Sequence, residues 1–218
     1  MGAFAPKSPF LFVAGFLLIL QVMIGFVKNS FRRRVLRNVK PFAGCRQVFP
    51  QMGSLGRVGV LCKVESLADV QAFEELVQFI LGSAFQAGDK SGAEVIIAGM
   101  VMEGKKCFKD KGDRDTFVEF CKVSGFDFLP KEGTDWKGVP DSKYINWLVK
   151  GEFDLLISLN PSEDFTLEYL SMICPSRFVT GVHPSEKVPY CLVLEPGEGS
   201  LSFKEYVEKL LSYLRNMQ

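Results

Sequence analysis

Residues 153–181, FDLLISLNPSEDFTLEYLSMICPSRFVTG, restrict the fold more than any other stretch of this chain. After Asp154 come Leu155, Leu156, Ile157 and Leu159, an apolar run too brief for a helix. Bounded by turn residues, such a run reads as a strand buried on both faces. Asn160-Pro161-Ser162-Glu163 breaks it, because Pro161 has no N–H for a ladder and Ser162 is a helix-capping residue. Phe165, Tyr169, Met172 and Ile173 then recur at helical spacing, and Pro175 stops the helix. Arg177 to Gly181 makes a second short strand. Strand, helix and strand with joints this short form a βαβ unit, whose strands are parallel.

The same alternation runs through residues 57–218. Val58 to Cys62 reads as a strand, and Ser66 caps a helix reaching about Phe85. That helix would turn Leu67, Val70, Phe73, Leu76, Val77, Ile80 and Leu81 toward a sheet. Residues 94–102 make a second buried strand, 116–123 a short helix and 126–129 a short strand. Asp141 or Ser142 starts a further helix that Gly151 closes. Residues 190–194 are a last strand, and a closing helix from Ser202 carries Phe203, Tyr206, Val207, Leu210, Leu211 and Leu214 on one face. Helices between short buried strands predict an α/β fold: a single three-layer α/β/α domain with a mostly parallel sheet. A chain of 218 residues, 47% hydrophobic, has room for that domain and something ahead of it.

What lies ahead divides at residue 27. Residues 9–27, PFLFVAGFLLILQVMIGFV, carry no charge, and 19 residues nearly match the ~20 that cross a bilayer core as a helix. Lys28, Arg32, Arg33, Arg34, Arg37 and Lys40 follow directly, which by the positive-inside rule places the C-terminal side in the cytoplasm. A cleavable signal peptide has its positive charge before the apolar region instead. The expectation is therefore a single-pass anchor in the cell inner membrane within residues 1–27, a basic helix and linker over 28–56, and a cytoplasmic domain over 57–218. Residues 28–40 continue as a helix with Phe31, Val35, Leu36 and Val39 on one side. Arg32, Arg33, Arg34 and Arg37 would meet anionic headgroups at about 1 kcal/mol per basic residue. Two alternatives stand beside this reading: translation starting at Met23, which gives a soluble cytoplasmic protein, and a solvated basic linker.

Charge is divided along the chain. Ten of the 26 basic residues, and none of the 25 acidic ones, fall in residues 1–64, so the domain itself is acidic. An acidic domain makes nucleic acid an unlikely partner, since phosphate contacts need clustered Lys and Arg. Six cysteines without a CxxC pair fit reduced thiols in a reducing compartment. No metal and no cofactor is expected: GxGxxG, GxxxxGK[ST] and GxSxG are all lacking. In open α/β sheets ligands lie beyond the carboxyl ends of the strands. That places candidate ligand-binding residues at Asn160, Ser162 and Glu163, and at His183, the single histidine. Glu103 and Glu163 are a conceivable carboxylate pair. Trp136 falls in a loop, as a surface aromatic, and Trp147 on a helix, as a packing residue.

FDLLISL…LEYLSMICPSRFVTGV resembles the late part of the amino-terminal half of heptosyltransferase-like glycosyltransferases, where a YDLVIDL strand leads to a helix and a short strand ending in Gly. More closely, the chain is similar to a family of short, uncharacterised bacterial α/β proteins. The similarity rests on the basic helix after Met23, VGVLCK, FDLLISL, SRFVTG and the closing FKEYVEKLLSYL, and it covers residues 23–218. The resemblance implies an α/β fold. Ser158 stands where the transferases carry Asp, and their donor-binding carboxy-terminal half has no counterpart here, so no catalytic residue is implied. The expected function is a non-catalytic domain tethered at the cytoplasmic membrane face, binding a protein partner of unknown identity or a small ligand. The alternative is a glycosyltransferase-like enzyme or subunit acting on nucleotide-sugar or envelope precursors.

Overall fold

Val58, Val60, Cys62 and Val64 point to one side of their strand and Leu61 to the other, and all five are buried. A strand without a wet face needs helices on both sides. The computed structural model, which describes residues 9–39, 49–84, 95–104, 107–159, 164–195 and 201–217, supplies them. In chain order the main elements are α1 (Pro9–Asn38), β1 (Arg57–Val64), α2 (Leu67–Phe79), β2 (Ile96–Glu103), α3 (Lys111–Val123) and β3 (Phe126–Leu129). They continue with α4 (Ser142–Lys150), β4 (Phe153–Leu159), α5 (Phe165–Ile173), β5 (Ser176–Gly181), β6 (Leu192–Val193) and α6 (Phe203–Asn216).

The six strands form one sheet in the order β3-β2-β1-β4-β5-β6. All five pairings are parallel, with Cys62 opposite both Val101 and Leu159, and Leu155 opposite Phe178. On one face α2, α3 and α6 cover Val60, Cys62, Val101, Leu155, Ile157 and Phe178. Phe73 of α2 anchors this layer, its ring edge-on to Phe117, Phe120 and Phe126. On the other face α4 and α5 cover Leu61, Met100, Phe153, Leu156 and Val179 through Ile145, Leu148, Leu167 and Leu170. Each large apolar side chain fully buried in these layers contributes about 1.5–3 kcal/mol. The expected three-layer α/β/α arrangement is therefore present, with a sheet that is parallel throughout.

Local chemistry fixes most element ends. Ser66 and Ser202 form capping boxes with Asp69 and Glu205, Asp141 caps α4, and Gly151 closes it. Three sequence expectations need correction. The cap of α5 is Asp164, whose carboxylate accepts from Thr166 and Leu167 N–H, so the helix starts later than Ser162 predicts. Leu67 and Leu81 are 52% and 50% exposed rather than packed on the sheet, because α2 buries a narrower stripe and gives way to a π-helical turn, Ile80–Ala84. Helix α3 begins at Lys111, about a turn and a half before the expected start, capped by Asp110, whose side chain accepts from Asp113 N–H. The end of the α2 region near Phe85 lies outside the described residues.

Helix α1 is continuous across the expected break at residue 27, and its second half is part of the domain's packing. Leu36 is 4% exposed and shares a cluster with Phe165, Met172 and Val188, flanked by Val35, Val39, Val139, Tyr169 and Tyr190. Its first half differs. Leu20, Val22, Met23, Ile24, Phe26 and Val27 are all exposed, Phe26 at 76%. Described side chains of α1 begin at Leu20, and among the described residues no helix is long and apolar enough to cross a membrane. The segment after α1 is not a plain linker where it is described: Leu55 is buried, Phe49 packs on Phe178, and Gly56 and Arg57 N–H donate to Asp154.

Candidate functional site

The strand order reverses between β1 and β4, and an open α/β sheet forms its ligand crevice beyond the carboxyl ends of such strands. Lys63, the penultimate residue of β1, reaches across that gap. Its ammonium lies 2.8 Å from Asp164 Oδ2 and also pairs with Glu65. Burial alone would lower the Lys63 pKa, but hydrogen bonds to Asp164 and Glu65 outweigh it, so the ammonium is held charged above its ordinary range. Both helix N-termini at the gap are already occupied by carboxylates. Asp69 Oδ2 accepts from Glu65 and Ser66 N–H at 2.9 Å, and Asp164 Oδ1 closes α5. A phosphate would have to displace an acid from each, so this crevice favours neutral or cationic groups over anions.

The end of β2 is closed in a similar way. Glu103 is buried, and its Oε2 accepts from the Arg114 guanidinium at 2.6 Å and from Lys131 N–H at 3.2 Å, while Arg114 also reaches Glu132 at 2.9 Å. Burial works against the Arg114 charge, but Glu103 and Glu132 more than restore it. Glu103 is thus a structural acid that ties β2 to α3 and to the turn after β3. Its conjectured partner Glu163 lies outside the described residues, as do Asn160 and Ser162. His183 is half-buried in the loop that follows β5. That loop is pinned to α5 by buried Glu168, which accepts from Ser185 Oγ at 2.9 Å and pairs with Lys187 at 3.3 Å.

Ser158 of β4 is fully buried. Burial raises the pKa of the neighbouring Tyr190 phenol, against the Ser158 and Ser171 hydroxyls that lower it. Among the described residues no group of three or more His, Cys, Asp or Glu is placed to hold a metal. Cys62, Cys107, Cys121, Cys174 and Cys191 are free thiols, and all but Cys191 are buried; Cys45 lies outside the described residues.

A second polar constellation lies where α1 meets the domain, and sequence reasoning found only one side of it. In the turn at 135–139, Asp135 Oδ1 accepts from Lys137, Gly138 and Val139 N–H, each at 2.9 Å, and Gly138 has φ +97, a backbone conformation suited to glycine. Thr166 Oγ1 donates to the Gly138 carbonyl at 2.7 Å, fixing the turn to α5. Arg32 donates to the Lys137 carbonyl and lies over the Phe165 ring at 5.0 Å. Trp136 meets Phe31 edge-on at 5.4 Å, and the Lys137 ammonium lies over both rings. Of the four arginines expected at a membrane surface, Arg32 is therefore turned to the domain, while Arg33, Arg34 and Arg37 remain exposed. Arg34 and Arg37, with Ser30, Phe31 and Asn38, line a polar cleft of about 380 Å³.

Residues 108–217 match a family of unknown function, DUF6913. The chain belongs to this family. The DUF6913 match takes in β3 to β6 and α3 to α6, and leaves α1, β1, α2 and β2 outside it. No curated protein and no solved structure matches the chain. The resemblance to heptosyltransferases therefore gains no relative in its favour. Family membership in DUF6913 and a parallel α/β fold are what hold.

Proposed function

We propose that this protein is a non-catalytic α/β domain held at the cytoplasmic face of a membrane by the first half of α1, where it binds a partner protein or a small ligand. The observation that carries this reading is the contrast within α1. Residues 28–39 bury Leu36 against the domain, whereas residues 20–27 project with their apolar side chains exposed. A helix apolar on all sides belongs inside a protein or a bilayer. The uncharged run continues back to residue 9, about 28 Å of helix, close to the thickness of a hydrocarbon core. Exposed Arg33, Arg34 and Arg37 follow the run and favour a cytoplasmic C-terminal side. The test is the intact mass and alkaline-carbonate behaviour of the protein expressed from its native locus. A chain beginning at Met1 and retained in the membrane pellet is expected; a chain beginning at Met23 in the soluble fraction would refute the anchor.

A second reading, a glycosyltransferase-like enzyme or subunit acting on nucleotide-sugar or envelope precursors, draws on the strand order, whose reversal between β1 and β4 is where open α/β sheets hold nucleotides. The carboxylates at both flanking helix N-termini and the burial of Ser158 weigh against it. Thermal-shift measurements with nucleotide sugars at millimolar concentration decide between the two readings, because any ligand of the folded state raises its melting temperature. No shift is expected, and a concentration-dependent rise would favour the enzyme.

A further inference from the structure

The turn at 135–139 is built as a rigid tip. Its one acid, Asp135, is exposed and accepts through Oδ1 from three backbone N–H groups, and beside it stand exposed Trp136 and half-buried Lys137. Trp136 is 56% exposed although it is held edge-on against Phe31 and beneath Lys137. One exposed Trp means little by itself. Its level along α1 gives it meaning. Phe31 comes four residues after Val27, the last residue of the apolar run, and four residues of helix rise about 6 Å. The interfacial layer on each side of a hydrocarbon core is about 5–8 Å deep, and Trp is enriched there because its ring is apolar and its N–H is polar. Lys137 and the exposed Arg33, Arg34 and Arg37 add positive charge at and just below that level, which suits anionic lipid.

We propose that the 135–139 turn is a second membrane contact, seated through Trp136 and Lys137 in the headgroup layer of an anionic bilayer beside α1. The inference rests on the anchor reading and goes beyond it. Helix α1 alone leaves the domain free to rotate about the helix axis, whereas two adjacent contacts set its orientation. Arg32 lies over Phe165, the first residue of α5, and the α1 residues that follow join the α5 cluster. The apolar half of α1 therefore leaves the domain at the carboxyl edge of the sheet, and that edge faces lipid. The occupant of the docking surface is the lipid headgroup layer.

The experiment uses the full-length chain in vesicles of phosphatidylcholine and phosphatidylglycerol, with a fraction of the lipid brominated near the ester end of its acyl chains. Trp147 packs against the sheet, so the difference in emission between the wild type and Trp136→Phe reports Trp136. Flotation of the protein with the vesicles, and loss of most of the Trp136 emission with brominated lipid, is expected. Flotation with unquenched Trp136 emission would overturn this proposal and leave the anchor standing. Failure to float would overturn the anchor, and this proposal with it.

Discussion

Asp164 shows how one side chain can close a site as well as build it. One carboxylate oxygen accepts from Thr166 and Leu167 N–H at 2.9 and 3.1 Å, and the other meets Lys63 at 2.8 Å. Replacing it by Ala removes a helix cap, worth about 1 kcal/mol with a range of about 0.5–2. It also leaves half-buried Lys63 with exposed Glu65 as its remaining partner here. We expect Asp164→Ala to lower the urea midpoint by an amount equivalent to about 1–2 kcal/mol, and Asp164→Asn, which keeps a capping oxygen, to lower it less. Equal midpoints for wild type and Ala would show that the carboxylate contributes nothing to the fold. The sequence displayed a cap but did not place it: Ser162 and Asp164 are both capping residues, the sequence points to Ser162, and only the first turn's geometry selects Asp164.

At the scale of elements, the βαβ unit of residues 153–181 was legible because three signals agree there: an apolar run, a helical spacing and a terminating proline. Strand β5 and the caps of α2, α4 and α6 were equally legible. The start of α3 was not, because Lys111 to Asp115 is almost wholly charged and shows no apolar period until Phe117. Strand order was out of reach, since a crossover fixes parallel direction and hand but not how many strands it skips. The apolar side of residues 28–40 was legible as a stripe. That it would face α5 was not, because Gly138, Phe165 and Val188 are distant in sequence and come together only in the fold. Likewise the sequence marks Trp136 as a surface aromatic, but nothing local joins it to Phe31, 105 residues earlier.

Across the whole molecule, the buried thiols make stability depend on alkali. Burial pushes Cys121 and Cys174 to about 12 and Cys62 well above its ordinary 9.0, with Cys121 adding to the last. In the unfolded chain these thiols ionise near 9.0, while the folded state keeps them protonated. The unfolded state therefore binds fewer protons above that pH, and stability falls as pH rises from about 9 toward about 12. Buried Tyr206, also raised and donating to the Gly181 carbonyl at 2.8 Å, adds a decline of the same sign. Urea midpoints measured from neutral pH to about pH 10.5 should fall once pH passes about 9. A flat profile would mean that these thiols are not sequestered as the structure has them.

The continuity of α1 has a mechanical side. Between Gly25 and Asn38 the helix contains neither glycine nor proline, and its end is clasped by α5 and the 135–139 turn. With the first half in a bilayer there is no hinge at the base of the domain. Under the proposed anchor, any tilt that relieves a mismatch between helix and bilayer would swing the entire sheet with it. Under that anchor the helix would act as a lever that turns bilayer thickness into the height at which the carboxyl edge of the sheet stands above the lipid.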